Sequence, residues 1–366
     1  MILLSNIRSY LVRKLAEARD NHLRKNRMKV AERTMTPKLG NLVPLSDEQR
    51  RDIVAYWKNY RDVSKDLRWF EFYNWCSDGK ADIKRYIPDD IYYAEVDFFF
   101  TDPRRSYELD DKNMYDMYFH DIKMPKTVIH KCKGLLLDKD YHPITVEQAV
   151  ELCRKEGLVI SKPARNTEGG KGICFVDFRE SGAEEALKEC LEYPHDLIVQ
   201  CVVRQHEAIN QLYAGSINSL RIMSLVLDGE VHIISSVLRM GRDGAKVDNT
   251  SNGGLAVGIK PDGKLREVAF DKTGKKWLKH PQGAVFKDFQ LVGYDKCVEL
   301  VRSVSARLSS STPLVSWDLA IDEDGDPMII EANLTFGGVN IHQMCNGPIF
   351  GDMTDKILNL VYNSGR

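Results

Sequence analysis

Asp318, Glu331 and Asn333 stand in two short apolar runs joined by the turn Asp322-Glu323-Asp324-Gly325-Asp326-Pro327. If 315–321 and 328–333 pair as a hairpin, alternation puts Glu331 and Asn333 on one face and can bring Asp318 beside them. Three hard oxygen donors then converge. Such a set suits Mg²⁺, which takes a few carboxylates and completes its shell with water and nucleotide phosphates. The chemistry expected there is that of a magnesium-dependent ATP site.

A second signal lies upstream. The apolar run 158–161 ends in Lys162-Pro163 and is followed by Asn166-Thr167-Glu168-Gly169-Gly170-Lys171-Gly172 and a further run, 173–177. Glycines let backbone N–H groups approach phosphate oxygens, and a lysine adds a point charge. The loop lacks the GxxxxGK[ST] spacing and leads into a strand rather than a helix, which disfavours the P-loop class. Taken alone it reads equally well as a hairpin turn. A third segment, 197–203, is an apolar strand carrying Gln200 and ending before Arg204-Gln205-His206-Glu207. Its backbone could read an adenine edge and Glu207 could accept from ribose hydroxyls, whereas a buried strand with a solvated end is the plainer reading.

In order and spacing these pieces resemble the ATP-grasp superfamily over about residues 112–345. The segments Glu108 to Lys112, Ser216 to Arg221, Arg239 to Gly241, and Asp248-Asn249 through Gly253-Gly254 are similar to its sugar-transfer-associated members, a group linked with surface-polysaccharide assembly. The resemblance implies an α+β fold, two α+β subdomains enclosing ATP, with a helical N-terminal region in place of the usual preceding domain. It implies that Lys162 holds ATP phosphates, with Lys131 or Lys133 as the second lysine. Gly169, Gly170 and Gly172 would close over the β- and γ-phosphates. Gln200 and the backbone from Cys201 to Val203 would read adenine, Glu207 would take ribose, and Asp318, Glu331 and Asn333 would hold Mg²⁺. The implied reaction passes through an acyl phosphate that an amine converts to an amide.

One position departs from that pattern. Several ATP-grasp ligases place an arginine two residues before the first metal carboxylate, and Ser316 stands there in this chain. Arg221 and Arg239 are the candidates to substitute, since a guanidinium within an apolar strand is costly unless paired. An internal salt bridge is the alternative use of either. Asn249 could clamp phosphates, although its surroundings also read as ordinary loop composition.

The elements that must position these residues follow from the rest of the chain. Its 366 residues carry 52 basic and 53 acidic side chains, net −1, which gives no hint of a nucleic-acid partner. Eight cysteines are scattered without a CxxC pair, so neither a disulfide framework nor a zinc site is expected. No apolar run approaches the ~18 residues of a membrane span, and the N-terminus lacks the order of a signal peptide. A cytoplasmic protein is expected. Residues 1–38 hold ten Lys/Arg against three acids, a local +7, with Leu4, Ile7, Leu11, Leu15 and Ala18 at helical spacing. That basic amphipathic helix could contact an anionic membrane peripherally, or pack by its stripe on its own domain. From 46 to 120 the pattern is helical and rich in aromatics, with Ser46 placed to cap a helix, and the aromatics are expected to be packing. From 127 on it turns β/α. Three segments result: a helical region 1–120, a first ATP-grasp subdomain 121–199 with the glycine loop, and a second, 200–366, with the metal hairpin. Three functions fit this reading: a carboxylate–amine ligase acting on a sugar or glycan precursor, a kinase with His342 as base, and a non-catalytic nucleotide-binding regulatory subunit.

Overall fold

The structure, a computed structural model, describes residues 2–101, 106, 109–165 and 171–363, with residues 2–13 described by their backbone alone. Packing gathers the chain into two compact units. One comprises Met1–Asp102, Thr273–Lys275 and Gly338–Arg366; the other comprises Pro103–Lys272 and Lys276–Gly337.

The first unit is helical. Its helices include α1 (Ile2–Met35), α2 (Asp47–Trp57) and α3 (Arg68–Ser77). Ser46 caps α2 as its sequence predicts: its Oγ accepts from the Gln49 N–H at 3.1 Å, and its own N–H donates to Gln49 Oε1 at 2.9 Å. Trp57, Phe70, Phe72 and Tyr73 are buried, and Tyr73 stacks on Tyr86 with ring centroids 4.6 Å apart, so these aromatics are core. The helix Val339–Asn346 belongs here too, because Gln343 completes both backbone hydrogen bonds of Ile87, at 2.8 and 3.0 Å. The units therefore cut the chain differently from the three segments read along the sequence. The last helices join the first ones, and 111–120 packs with the sheets.

The second unit contains two antiparallel sheets. In the first, β1 (Thr127–Cys132), β2 (Leu135–Asp138), β3 (Leu158–Pro163), β4 (Cys174–Asp177) and β5 (Leu197–Cys201) run in the order β2-β1-β5-β3-β4. The helices α4 (Val146–Glu156) and α5 (Ala183–Leu191) supply Ala149, Val150, Cys153 and Leu187 to one face, against Ile129, Val159 and Val199. The second sheet holds β6 (Leu220–Leu227), β7 (Glu230–Met240), β8 (Leu255–Ile259), β9 (Leu265–Phe270), β10 (Lys276–Trp277), β11 (Leu314–Ile321) and β12 (Pro327–Asn333), ordered β10-β9-β8-β7-β6-β11-β12. Helix α6 (Tyr294–Leu308) packs Cys297, Val301 and Val304 on its core face with Ile222, Leu238 and Trp317.

Candidate functional site

β11 and β12 form the hairpin that the sequence predicts. Its turn is closed by Asp322, whose carboxylate accepts from the N–H groups of Asp324 and Asp326, and by Gly325 at φ +80°. Asp318 pairs directly with Glu331, and Ser316 with Asn333. The register then slips, Leu319 facing Ile329, so Ile330 is an extra residue next to Glu331. Across the sheet Asp318 also faces Arg221, and Arg221 faces Val237. Directly opposed residues share a face, as do alternate residues along one strand, whereas consecutive residues lie on opposite faces. Asn333, Glu331, Asp318, Arg221 and Arg239 therefore share one face, while Ala332, Trp317, Ile222 and Leu238 fill the core on the other.

The carboxylates on this face are already partnered. Arg221 donates to both oxygens of Asp318 at 2.7 Å, and Arg239 adds a bond at 3.0 Å. Burial alone would push the Asp318 carboxyl up, yet the two guanidiniums outweigh it and hold the group at about 2. Arg239 also donates to Ser219 Oγ at 2.6 and 3.1 Å and lies 3.4 Å from Asp248, whose carboxylate bonds Ser219 in turn. Both arginines thus do what an internal salt bridge requires, and the partner is the proposed metal ligand itself. Ser316, two residues before Asp318, is buried and donates to the Gly337 carbonyl at 2.9 Å.

Glu331 is held by Lys112, Nζ to Oε1 2.6 Å. The Lys112 amide donates to the Ala164 carbonyl, and Asp111 next to it bonds Arg165 at 2.8 Å. The turn 110–113 is thereby fixed to the end of β3, which brings Lys112 close to Lys162. Lys162 is buried and has no hydrogen-bond or ion-pair partner among the described residues. Burial, with the like charge of Lys112 second, lowers its ammonium to about 8. Burial likewise raises the Asp110 carboxyl, to about 6, against the pull of Lys112. Lys131 is placed elsewhere. The β1–β5–β3 register sets Lys162, Ile198 and His130 on one face and Lys131, Leu197 and Pro163 on the other. There Lys131 donates to the Leu191 carbonyl at 2.7 Å and to that of Tyr193, capping the end of α5. The second cation beside Lys162 is accordingly Lys112, not Lys131. The backbone of Lys133 sits in the turn after β1, its N–H donating to Asp196 at 2.6 Å. Lys112 ends the Glu108–Lys112 segment, but nothing in one-dimensional spacing shows that it reaches Glu331.

A phosphate placed at Lys162 would restore the ammonium's preference for its charged form. ATP binding is therefore expected to take up protons near pH 8, where about half of the Lys162 side chains are neutral, and not near pH 6. Calorimetry in two buffers of different ionisation heat measures this directly. Binding heats that do not depend on the buffer at pH 8 would remove Lys162 from the phosphate site.

The residues expected to meet adenine and ribose divide. Gln200 is buried, its amide donating to the Pro125 carbonyl at 3.2 Å and to Thr127 Oγ1 at 3.3 Å, while its Oε1 has no donor within the described residues. The Cys201 N–H is used by the Lys126 carbonyl at 2.8 Å, and the Cys201 thiol reaches Glu156 at 3.2 Å. Val203 follows β5 and makes no backbone hydrogen bond among the described residues. Glu207 opens the short turn Glu207–Asn210 and is exposed. Gly169 and Gly170 lie outside the described residues. Gly172 has φ +75°, and a Cβ there would sit 2.9 Å from Pro163, so a side chain would meet the strand that carries Lys162. The Asn249 carbonyl closes the turn 249–254, while its half-buried side chain has no hydrogen bond among the described residues. His342 is fully buried in the helical unit.

The donor set fits Mg²⁺ in kind, with two carboxylates and an amide oxygen on one face. Asn333 donates Nδ2 to the Ser316 carbonyl at 3.1 Å, which leaves Oδ1 as its acceptor. The carboxylates are shared with Arg221, Arg239 and Lys112, cations for which nucleotide phosphates are natural alternative partners. The set therefore suits a magnesium nucleotide better than a bare ion.

Comparison with known proteins bears on this geometry. A family model described as sugar-transfer associated ATP-grasp matches residues 98–358. None of the curated proteins matches the sequence. Among solved structures, D-alanyl-alanine synthetase A from Vibrio cholerae O1 biovar eltor is similar at 12% identity over 71% of this chain and 67% of that one, with a TM-score of 0.42. D-cycloserine synthetase DcsG is similar at 14% identity over 68% and 70%, TM-score 0.41. L-amino acid ligase from Bacillus licheniformis is similar at 14% identity over 70% and 48%, TM-score 0.39. The assignment rests on the family match, which spans well over half of the sequence and includes Lys112, Lys162 and the whole β11–β12 hairpin: the chain belongs to the sugar-transfer associated ATP-grasp family and has the ATP-grasp fold.

Proposed function

We propose that the protein is an ATP- and Mg²⁺-dependent carboxylate–amine ligase that forms an acyl phosphate and modifies a sugar or glycan precursor. The observation that carries the reading is Lys162: a buried ammonium without a partner among the described residues, beside Lys112 and the Glu331–Asp318 pair. A lone desolvated cation is costly unless an anion completes it. Phosphate oxygens are the fitting anion in this family.

In this scheme Lys162 and Lys112 hold the ATP phosphates, while Glu331, Asn333 and Asp318 are the groups that would hold magnesium. When bound, the ion supplies charge neutralisation at the γ-phosphate. A substrate carboxylate oxygen attacks the γ-phosphorus and ADP leaves. Arg221 and Arg239, held in place by Asp318, Ser219 and Asp248, present guanidinium N–H groups to the developing negative charge. An amine then attacks the acyl carbon, phosphate leaves, and the amine nitrogen gives up a proton. Asn249 would clamp the phosphates from the loop after β7, Val203 and Gln200 would meet adenine, and Glu207 the ribose.

The test is a product assay with ATP, Mg²⁺ and pools of uronic acids, amino acids and amino sugars. ADP with inorganic phosphate, formed only when a carboxylate and an amine are both present, is the expected result. ADP with a phosphorylated hydroxyl would make the protein a kinase. AMP would rule out the acyl-phosphate route, and no turnover with intact ATP binding would favour a regulatory subunit.

A further inference from the structure

Helix α1 has two unlike sides in its described part. On one, Ala31 and Met35 are fully buried, Arg27 bonds Asp97 at 3.0 Å, and Arg24 reaches Glu95 and the Ala94 carbonyl. On the other, Leu15, Ala18, His22, Lys25, Lys29 and Arg33 are all exposed. At 3.6 residues per turn these six positions fall on one stripe, roughly opposite Ala31 and Met35. Leu15 is 71% exposed, so the apolar stripe does not pack on the helical unit at that point. Lys25, Lys29 and Arg33 form no ion pair among the described residues, and Glu32 beside them is engaged by Arg68 at 2.9 Å. The same spacing continues toward the N-terminus in sequence as Leu11, Ile7 and Leu4, whose side chains lie outside the described residues.

We propose that this outward stripe docks on an anionic lipid bilayer. The leucine-led end would enter the boundary between headgroups and acyl chains, and Lys25, Lys29 and Arg33 would lie over the headgroup phosphates. Among the described residues no helix is long and apolar enough to cross a membrane, which agrees with a helix lying in the interface. Cations alone would suit a nucleic acid as well. The apolar lead decides between them, because a phosphodiester backbone rewards the basic residues and offers nothing to an exposed leucine.

The full-length chain should co-sediment with phosphatidylglycerol/phosphatidylcholine vesicles and stay in the supernatant with phosphatidylcholine alone. Raising salt from about 0.05 to about 0.5 M should release it. Lys25→Gln, Lys29→Gln and Arg33→Gln together should weaken the partitioning roughly a hundredfold, and Leu15→Asp should weaken it independently. All four positions are exposed, so the melting temperature should not change; it is measured alongside. A wild-type chain that remains in the supernatant with anionic vesicles at low salt overturns the proposal. Vesicle binding insensitive to Leu15→Asp together with equally tight binding of a single-stranded oligonucleotide would assign the stripe to nucleic acid. A Leu15-dependent dimer that does not bind vesicles would assign it to a second copy of the chain.

Discussion

Glu331→Gln is expected to lower ATP consumption by about 10²–10³-fold, the size of losing one preorganised electrostatic group from an active site, while the fold survives. Glu331 follows the bulge in β12, is partly exposed, and among the described residues is ion-paired with Lys112 at 2.6 Å. Glutamine keeps the volume and an oxygen that can still accept from the ammonium, so the stability cost should be about 1–2 kcal/mol. What disappears is a negative charge at the place where magnesium and the γ-phosphate are proposed to meet. Titrating Mg²⁺ at fixed ATP separates this from a nucleotide-binding defect. The variant should lose the magnesium dependence of ATP affinity but keep a basal affinity, whereas Lys162→Ala should lose the basal affinity. Turnover at the wild-type rate would sink the metal assignment.

Much of this arrangement was legible before the structure because it is written in short-range pattern. Alternation alone sorts 314–321 into a core row with Trp317 and Leu319 and a polar row with Ser316 and Asp318, and the Asp-rich turn announces the hairpin. Ser46 heads a capping box that the structure contains. What could not be read is long-range. Lys131 is the nearer choice in sequence to a strand like that of Lys162, and only the register shows that it points to the helix-covered face. Lys112 lies 219 positions before Glu331, and no periodicity links them. The strands within 255–277 carry little short-range signal, since β8 is buried on both faces and offers no alternation, and β10 is two residues long. The salt bridges of Arg221 and Arg239 were foreseen as a type but not in their partner, because cross-strand neighbours are fixed by which strands pair.

That partner makes Asp318 the residue with the largest expected effect on stability. Its carboxylate is buried and accepts from two guanidiniums, so Asp318→Asn leaves Arg221 without its carboxylate and should cost about 3–5 kcal/mol, the usual result of removing one member of a buried ion pair. Arg239 retains Ser219 and Asp248, so Arg221 bears most of the loss. The pH dependence carries a definite sign. The folded-state carboxyl is depressed to about 2 from an ordinary value of 3.8. Its contribution is thus fully present above about pH 4 and is lost as pH falls toward 2, amounting to about 2–3 kcal/mol. Asparagine cannot titrate, so the stability gap between wild type and variant should narrow across that window. Hydrogen exchange of the β11 amides at pH 6 and near pH 3 reads the gap in the unit that contains the site, without requiring both units to unfold together. A gap that is the same at both pH values would mean that the arginines do not hold Asp318 ionised in solution, and the carboxylate would then be free to serve magnesium alone.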